Sequence, residues 1–464
     1  MIHYTSLQSL QGPLLVIENT DSVSYLELVK VKTSDGRELD GQVIALEKDV
    51  ALVQLFQTPA GISLQGSTAV FTGETKKISL SPAILGRIFN GLGKPIDGKL
   101  EIAGNKYDIN LPLPVQNKDI YGAAINPYRR SEPSNFIQTG ISTIDLTNTI
   151  VKGQKIPIFS GSGMPDLELL AQIASQATTT DGKPFAVVVA TMGISTDQYR
   201  YLIDSLEKSG ALNRTVVFAN LAADPVVERI LTPRLALTVS EYLAYELNYS
   251  VLTLMFDLTN YANALREISA AKKEIPGRAG YPSYLYTDLA TLLERAGTIE
   301  DIEGDITQIP ILTMPSDDIT HPVPDLTGYI TEGQITLDRQ LLQKGINPPI
   351  NILKSLSRLK DKGQGEGKTR EDHSEVADQI FATLAESIRQ EELALVLGVD
   401  SLSVTGQKYL EFKKQYDDKF LNQGKENRTI EQTLNIAWEI LSVLPREELK
   451  KIKDKTFQKY HFKN

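Results

Sequence analysis

Near-continuous apolar runs alternate with amphipathic helical stretches between residues 155 and 315 of the chain. Runs without polar alternation predict strands that are buried on both faces, as in a parallel sheet covered by helices. In such sheets, ligands bind beyond the carboxyl ends of the strands. The predicted strands are 156–159, 185–190, 216–219, 251–256 and 309–314, and the predicted helices include 196–209 and 261–273.

The first of these strands leads into a turn that is typical of a phosphate-binding loop. A β-branched strand, a glycine-rich turn and a helical run over about 167–178 follow one another. Aligning Gly163 with the second glycine of G-x-x-x-x-G-K-[ST] places Met164 at the lysine and Pro165 at the hydroxyl residue. Met164 carries no charge, and Pro165 has neither a hydroxyl nor a backbone N–H. The candidate nucleotide-contacting residues of this degenerate pocket are Ser160, Gly161, Ser162 and Gly163.

Carboxylates, rather than cations, surround this turn. Asp166 and Glu168 lie at the positive end of the predicted helix, where a phosphate would otherwise bind. Asp257 ends the run 251–256 at the position where an aspartate supports Mg²⁺ through water in phosphate-loop enzymes. The strand expected beside the turn ends at 190–195 with no carboxylate to orient an attacking water. The chain alone is therefore predicted to hydrolyse ATP poorly or not at all, although an ordinary Gly/Ser turn would also account for residues 160–163.

A second glycine-rich stretch, at 363–369, ends in Lys368 and Thr369. Its spacing is one residue short of the phosphate-loop pattern, and no predicted strand precedes it. We therefore predict a solvated loop.

Arg358 follows an apolar segment and two small hydroxyl residues, Ser355 and Ser357. It has two interpretations that the local sequence leaves open. The first is an ordinary surface salt bridge. The second is an arginine finger, a planar cation presented to the nucleotide of a neighbouring subunit.

The two ends of the chain differ in pattern. Evenly spaced short strands up to about residue 73 predict a small β-barrel. The last hundred residues predict helices, with capping boxes at Asp372/Glu375 and Thr429/Gln432 and with Trp438 on an apolar face. The predicted domain limits are 1–75, 76–360 and 361–464.

Composition narrows the class of protein. The chain has no cysteine. Its net charge of -10 argues against nucleic acid as a partner. No apolar run approaches the ~18 residues of a membrane span, and no signal-like segment opens the sequence. The four histidines are scattered without ligand spacing, so no metal site is predicted. These features indicate a soluble, intracellular protein.

Several longer stretches resemble the B subunit of A/V-type rotary ATPases. They are Ser160-Gly-Ser-Gly-Met-Pro, the run from Asp257 to Ser269, Pro276-Gly-Arg-x-Gly-Tyr-Pro, the run from Thr313 to Gln334, and Ser355-Leu-Ser-Arg-Leu. The resemblance extends over essentially the whole chain, and its short ends are similar to those of prokaryotic members. A catalytic A subunit would carry an intact phosphate loop and a longer insertion before it.

The resemblance implies a β-barrel, a central α/β nucleotide-binding domain of the RecA-like type and a C-terminal helical bundle. It implies a non-catalytic, regulatory subunit that alternates with three catalytic A subunits (A3B3) and contacts the central rotor stalk and peripheral stalk subunits. Arg358 would act in trans on ATP or ADP with Mg²⁺ at the shared interface, while the chain's own pocket would be weak or empty. The complex would couple ATP hydrolysis or synthesis to H⁺ or Na⁺ transport at the cytoplasmic face of the cell membrane.

Two other functions remain open from the sequence. A self-sufficient hexameric ATPase, of the export-motor or helicase type, has the same barrel-plus-core layout but needs its own lysine and acid. A scaffold that binds partner subunits and ignores nucleotide is the non-enzymatic alternative.

Overall fold

The computed structural model describes residues 3–20, 22–98 and 115–461. The predicted N-terminal barrel is confirmed as an antiparallel sheet in the order β1-β7-β4-β5-β6-β3-β2. Alternation gives β4 its buried face, with Val29 and Val31 inside and Lys30 and Lys32 exposed. The strands are β1 His3–Tyr4, β2 Leu7–Gln11, β3 Leu14–Ile17, β4 Leu28–Lys32, β5 Glu38–Glu47, β6 Val50–Leu55 and β7 Thr68–Phe71.

The central domain is built on a largely parallel sheet, as the apolar runs predict. Its order is β22-β21-β14-β20-β18-β16-β17-β9, with β22 antiparallel at one edge. The strands from β8 to β22 are β8 Lys77–Leu80, β9 Ile88–Asn90, β10 Gln116–Asp119, β11 Arg130–Ser131, β12 Ser134–Gln138, β13 Ile150–Lys152, β14 Ile158–Gly161, β15 Thr178–Thr179, β16 Phe185–Ile194, β17 Thr215–Leu221, β18 Ser250–Phe256, β19 Gly297–Ile299, β20 Asp305–Met314, β21 Gly333–Thr336 and β22 Leu356–Ser357. Side pairings join β8 to β10, β12 to β13 and β15, and β19 to β11 and β20.

Helices cover both faces of this sheet, so its strands are buried on both sides. The helices of this part are α1 Ser142–Thr147, α2 Asp166–Gln176, α3 Thr196–Lys208, α4 Val226–Glu241, α5 Leu258–Ala271, α6 Leu285–Leu293, α7 Pro322–Ile330 and α8 Arg339–Gln343. A π-helical turn, Tyr242–Glu246, continues α4.

One predicted adjacency is wrong. The strand that ends at 190–195 was expected beside the phosphate-loop-like strand, but β14 pairs with β20 and β21. β20 and β18 separate β16 from β14, because the chain returns after β18 and inserts β20 beside β14. The end of β16, which carries no carboxylate, therefore lies two strands further from the phosphate-loop-like turn than the sequence suggested.

The C-terminal part is a helical bundle made of α9 His373–Leu397, α10 Val404–Gln415, α11 Ile430–Leu441 and α12 Asp454–Tyr460. A π-helical turn, Tyr416–Leu421, continues α10. Trp438 is buried in the apolar core of the bundle, as predicted. None of the helices in the described part of the chain is long and apolar enough to cross a membrane.

Two local predictions in this region meet different outcomes. The capping box of Thr429 and Gln432 is confirmed at the start of α11. The capping box of Asp372 and Glu375 is wrong, because Asp372 makes no side-chain capping bond. Its carboxylate instead accepts hydrogen bonds from Arg370 and from Nε1 of Trp438.

The prediction of a solvated loop at 363–369 is wrong for its first two residues. Gly363 and Gln364 are buried, and Nε2 of Gln364 donates to the carbonyl of Leu146 and to Oγ1 of Thr149. This anchor attaches the start of the loop to α1 and the residues after it. The domain limits 1–75, 76–360 and 361–464 remain predictions.

Candidate functional site

The phosphate-loop-like turn lies where the sequence placed it, between the end of β14 and the start of α2. Ser160 and Gly161 end the strand, Ser162 and Gly163 form the turn, and α2 begins at Asp166. Met164 is only 6 % exposed and belongs to the apolar core that includes Leu167. The position that a phosphate-binding lysine would occupy is thus filled by a buried thioether.

Two buried carboxylates, those of Asp166 and Asp257, lie close enough to each other at this turn to interact. Burial raises the pKa of Asp166, a hydrogen bond from Ser160 opposes that effect, and the nearby carboxylate of Asp257 adds to it, so that the pKa is about 6. A negative charge here is unfavourable, so a phosphate entering the same helix terminus would meet repulsion.

Asp257 has both carboxylate oxygens engaged with the protein. Oδ1 accepts the backbone N–H groups of Thr259 at 2.7 Å and Thr313 at 3.1 Å, and Oδ2 accepts the Thr313 hydroxyl at 2.5 Å. Burial raises its pKa, and these three bonds oppose that effect. Asp257 therefore caps α5 and ties β18 to β20.

An ion pair that the sequence analysis did not single out covers the turn from the other side. Nε and Nη2 of Arg339 lie 2.7 and 2.8 Å from the carboxylate oxygens of Asp317. The same Nη2 donates to the carbonyl of Ser162 at 2.9 Å. A Cβ on Gly161 would lie 2.0 Å from Oδ1 of Asp317, so this ion pair is packed directly against the strand end.

A cleft of about 770 Å³ adjoins this ion pair, and a nucleotide-sized ligand fits such a volume. Its cations are already engaged, because Arg339 pairs with Asp317 and Lys354 pairs with Asp338. Among the described residues, no three His, Asp or Glu side chains are grouped as a metal site. These residues do not fit a triphosphate with Mg²⁺.

The second element of interest is the Ser355-Leu356-Ser357-Arg358 segment at the edge of the same sheet. Ser355 and Ser357 are buried, whereas Leu356 is 53 % exposed and Arg358 is exposed. This alternation is that of a strand with one face on the protein and the other in solvent.

Hydrogen bonds hold the two inward serines. Oγ of Ser355 donates to the carbonyl of Asn351 at 2.7 Å and accepts the N–H of Thr336 at 2.9 Å. Oγ of Ser357 accepts Nε2 of Gln154 at 3.0 Å and donates to the carbonyl of Thr149. With these positions bound, the strand presents Arg358 outward, and no residue that the structure describes forms an ion pair with it.

The turn and Arg358 lie at opposite edges of the sheet, after strands β14 and β22, which β21 separates. Arg358 donates its N–H to the carbonyl of Glu332, whose own N–H donates to the carbonyl of Lys155. Gly161 lies six residues beyond Lys155, a separation of about 20 Å along an extended chain. The two elements cannot contribute to one site within one chain.

Comparison with known proteins places these elements in a family. The sequence model of the ATP synthase alpha/beta family β-barrel domain matches residues 8–73, and that of the nucleotide-binding domain matches residues 140–357. The C-terminal domain of V and A type ATP synthase matches residues 362–461. A solved structure described as a unique ATP synthase subunit, NeqB from Nanoarcheaum equitans, is similar with 39 % identity and a TM-score of 0.72. The similarity covers 93 % of this chain and 98 % of that one.

This chain is a B-like subunit of the A/V-type ATP synthase family. The barrel, the nucleotide-binding domain and the helical domain of this B-like subunit are the three domains that the resemblance implied. Membership in a family of rotary ATP synthase subunits implies partner subunits.

Sequence reasoning missed four charged residues of the B-like subunit: Asp317 and Arg339 beside the turn, and Lys155 and Glu332 near Arg358. Asp317 and Arg339 each come three residues after a strand end, at the edge where β14, β20 and β21 finish together. That shared spacing was a usable signal once the strand order was known. Lys155 and Glu332 come shortly before β14 and β21, and no comparable spacing in the sequence marked them.

Proposed function

We propose that this chain is the non-catalytic, regulatory B subunit of a rotary ATPase that lends Arg358 to the catalytic site of an adjacent A subunit. Three copies would alternate with three A subunits and contact the central rotor stalk and the peripheral stalk. The assembly would lie at the cytoplasmic face of the cell membrane and couple ATP hydrolysis or synthesis to H⁺ or Na⁺ transport.

The observation that carries this proposal is the exposed Arg358, which forms no ion pair with any residue in 3–20, 22–98 or 115–461 and follows a strand whose inward serines are hydrogen-bonded. An exposed arginine with nearby carboxylates normally forms an ion pair. When it does not, its guanidinium can bind an anionic group of a partner. The exposed Leu356 beside it suits a surface that becomes covered on assembly.

The chain's own pocket supports the same division of labour. Met164 replaces the phosphate-binding lysine, Asp257 is held by three hydrogen bonds, and Arg339 is held by Asp317. Ser160, Gly161, Ser162 and Gly163 would therefore contact a nucleotide weakly or not at all. Isothermal titration of the purified chain with Mg-ATP should show no tight binding, and the chain alone should not hydrolyse ATP.

At the shared interface, the bound nucleotide with Mg²⁺ would supply the phosphoanhydride that is cleaved or formed. The guanidinium of Arg358 would donate to phosphoryl oxygens as negative charge develops on them. A planar, permanently charged donor suits this role, and arginine fingers contribute roughly 10³–10⁵ in rate.

The test is ATP turnover in a complex reconstituted with the catalytic subunit. Arg358→Ala should reduce turnover by at least about a hundredfold while hexamer formation is unchanged. Arg358→Lys should recover little, because an ammonium group lacks the planar fork. Arg200→Ala is the matched control, since Arg200 is exposed on α3 and forms no ion pair within the described ranges. Near-normal turnover with Arg358→Ala would remove the finger assignment.

A self-sufficient ATPase has no structural observation in its favour. Steady hydrolysis by the purified chain would nevertheless support it. The scaffold function would be supported if the chain assembled with its partner subunits equally well with and without nucleotide.

A further inference from the structure

Glu332 lies directly across the strand pair from Arg358 and yet does not bind it. Gly333 pairs with Ser357 and Gln334 with Leu356, so the next step of the register sets Glu332 opposite Arg358. The N–H of Arg358 donates to the carbonyl of Glu332 at 3.0 Å, which agrees with that register. Oppositely charged side chains in directly opposed positions share one face of the sheet and normally attract each other.

Lys155 explains why this pair does not form. Its Nζ lies 3.0 Å from Oε1 of Glu332, and its backbone N–H donates to Oε2 at 2.7 Å. Both carboxylate oxygens of Glu332 are thus held by one residue of the neighbouring segment. Lys155 is only 5 % exposed, so its ammonium group has little access to water and depends on these partners.

A second carboxylate keeps Lys155 in place. Oε1 of Glu294 lies 3.0 Å from Nζ of Lys155, and Oε2 of Glu294 lies 3.0 Å from Nη2 of Arg130. Nη1 and Nη2 of Arg130 also donate to the carbonyls of Ala296 and Glu294. The chain Arg130–Glu294–Lys155–Glu332 therefore alternates in charge and ends at the residue directly opposite Arg358.

We infer that Lys155 is a positioning residue for Arg358: by holding the carboxylate of Glu332, it keeps the arginine from being captured within its own subunit. The inference rests on the proposed role of Arg358 in trans. Without the ammonium group of Lys155, Oε1 of Glu332 would lose its partner, although Oε2 would keep the backbone N–H of residue 155. The guanidinium of Arg358 would then bind either this carboxylate or the partner's nucleotide.

The test is a set of variants measured as ATP turnover in the reconstituted complex. Lys155→Met keeps the length of the side chain and removes its charge, and it should lower kcat roughly two- to sixfold. Glu332→Gln removes the competing charge and should leave turnover near that of the parent. The double variant Lys155→Met/Glu332→Gln should recover turnover to within about twofold, although it has lost more of the network.

A purely structural role for Lys155 predicts the opposite pattern, in which the double variant is no better than Lys155→Met. Lys152→Met is the matched control, because Lys152 is also buried, pairs with Asp181 and Asp305, and has no contact with Glu332. Its defect should not be rescued by Glu332→Gln. In an Arg358→Ala background, Lys155→Met should cause no further loss.

Should Lys155→Met not assemble, Lys155→Gln replaces it and must show the same rescue. Absence of rescue, with Arg358→Ala strongly impaired, overturns the role of Lys155 and leaves the finger standing. Near-normal turnover with Arg358→Ala removes the proposed function itself, so the two failures are distinguishable.

Discussion

The substitution Asp372→Ser tests whether Asp372 stabilises the protein as a helix cap or as the acceptor of hydrogen bonds from Trp438 and Arg370. Serine is about as good an N-cap as aspartate, so a capping role predicts a free energy of unfolding changed by less than about 0.5 kcal/mol. In the structure, the buried carboxylate instead accepts Nε1 of Trp438 at 2.7 Å and two guanidinium donors of Arg370 at 2.7 and 2.9 Å. A serine hydroxyl cannot reach these donors.

The expected cost follows from these contacts. Leaving the buried indole N–H of Trp438 unpaired costs about 1–3 kcal/mol. Breaking a fully buried ion pair costs roughly 3–5 kcal/mol, but Arg370 keeps a hydrogen bond to Asn435 and partial access to water, so we assign this loss about 1–2 kcal/mol. The total is about 3 kcal/mol, several times the change expected from capping alone.

The assay is urea unfolding followed by tryptophan fluorescence. Trp438 is the only tryptophan, so its emission reports the helical bundle even if the three domains unfold separately. With a denaturant dependence of about 1–3 kcal/mol per M, the midpoint should fall by about 1–3 M.

Thr429→Ala and Thr429→Ser are the controls, because Thr429 forms an observed capping box on α11. The alanine variant should lose about 1 kcal/mol and the serine variant almost nothing. An Asp372→Ser midpoint equal to that of the parent, with a larger shift for Thr429→Ala, would refute our account of Asp372.

Two further predictions concern the turn and His373, whose Nε2 lies 2.9 Å from the carbonyl oxygen of Leu146 in α1. Gly161→Ala should destabilise the chain by about 1–3 kcal/mol, because its Cβ would lie 2.0 Å from Oδ1 of Asp317. Adding Asp317→Ala should remove most of that loss in thermal unfolding, and strict additivity of the two would contradict the packing argument. Burial lowers the pKa of His373 to about 4 from 6.5, so the unfolded chain binds the proton more readily and stability falls as pH drops from 6.5 towards 4. Between pH 7 and pH 5 the parent should lose about 2 kcal/mol more than His373→Gln in urea midpoints, and equal losses would show that His373 is not the titrating group.

Much of the architecture was accessible from periodicity. The runs at 185–190 and 251–256 lack polar alternation because both faces of β16 and β18 are covered, and burial of that kind leaves a signal in consecutive residues. The loss of the phosphate-binding lysine was equally readable, since Met164 is adjacent to Gly163 in the chain. Arg358 was identified as a candidate, but the sequence left its salt-bridge and finger interpretations open.

The errors share one physical cause. Strand order, the hydrogen bond from Trp438 to Asp372 and the burial of Gln364 all depend on residues far away in the chain. β20 enters the sheet between β14 and β18 although it follows both in sequence. Asp372 matches a local capping pattern, but its carboxylate oxygens accept hydrogen bonds from Trp438 and Arg370 instead of capping the helix. A buried carboxylate is more stable with such strong donors.

The amino-acid order alone thus determines the succession of barrel, α/β core and helices. Backbone periodicity and the burial of whole faces both produce a pattern of apolar and polar residues that can be recognised among neighbours in the chain. Folding decides which charges meet. Arg339 is held by Asp317 because β20 and β21 end at the same edge of the sheet. Lys155 holds Glu332 because β14 and β21 begin at the opposite edge. Whether Arg358 is free to act on a partner follows from those distant pairings and from no pattern along the chain.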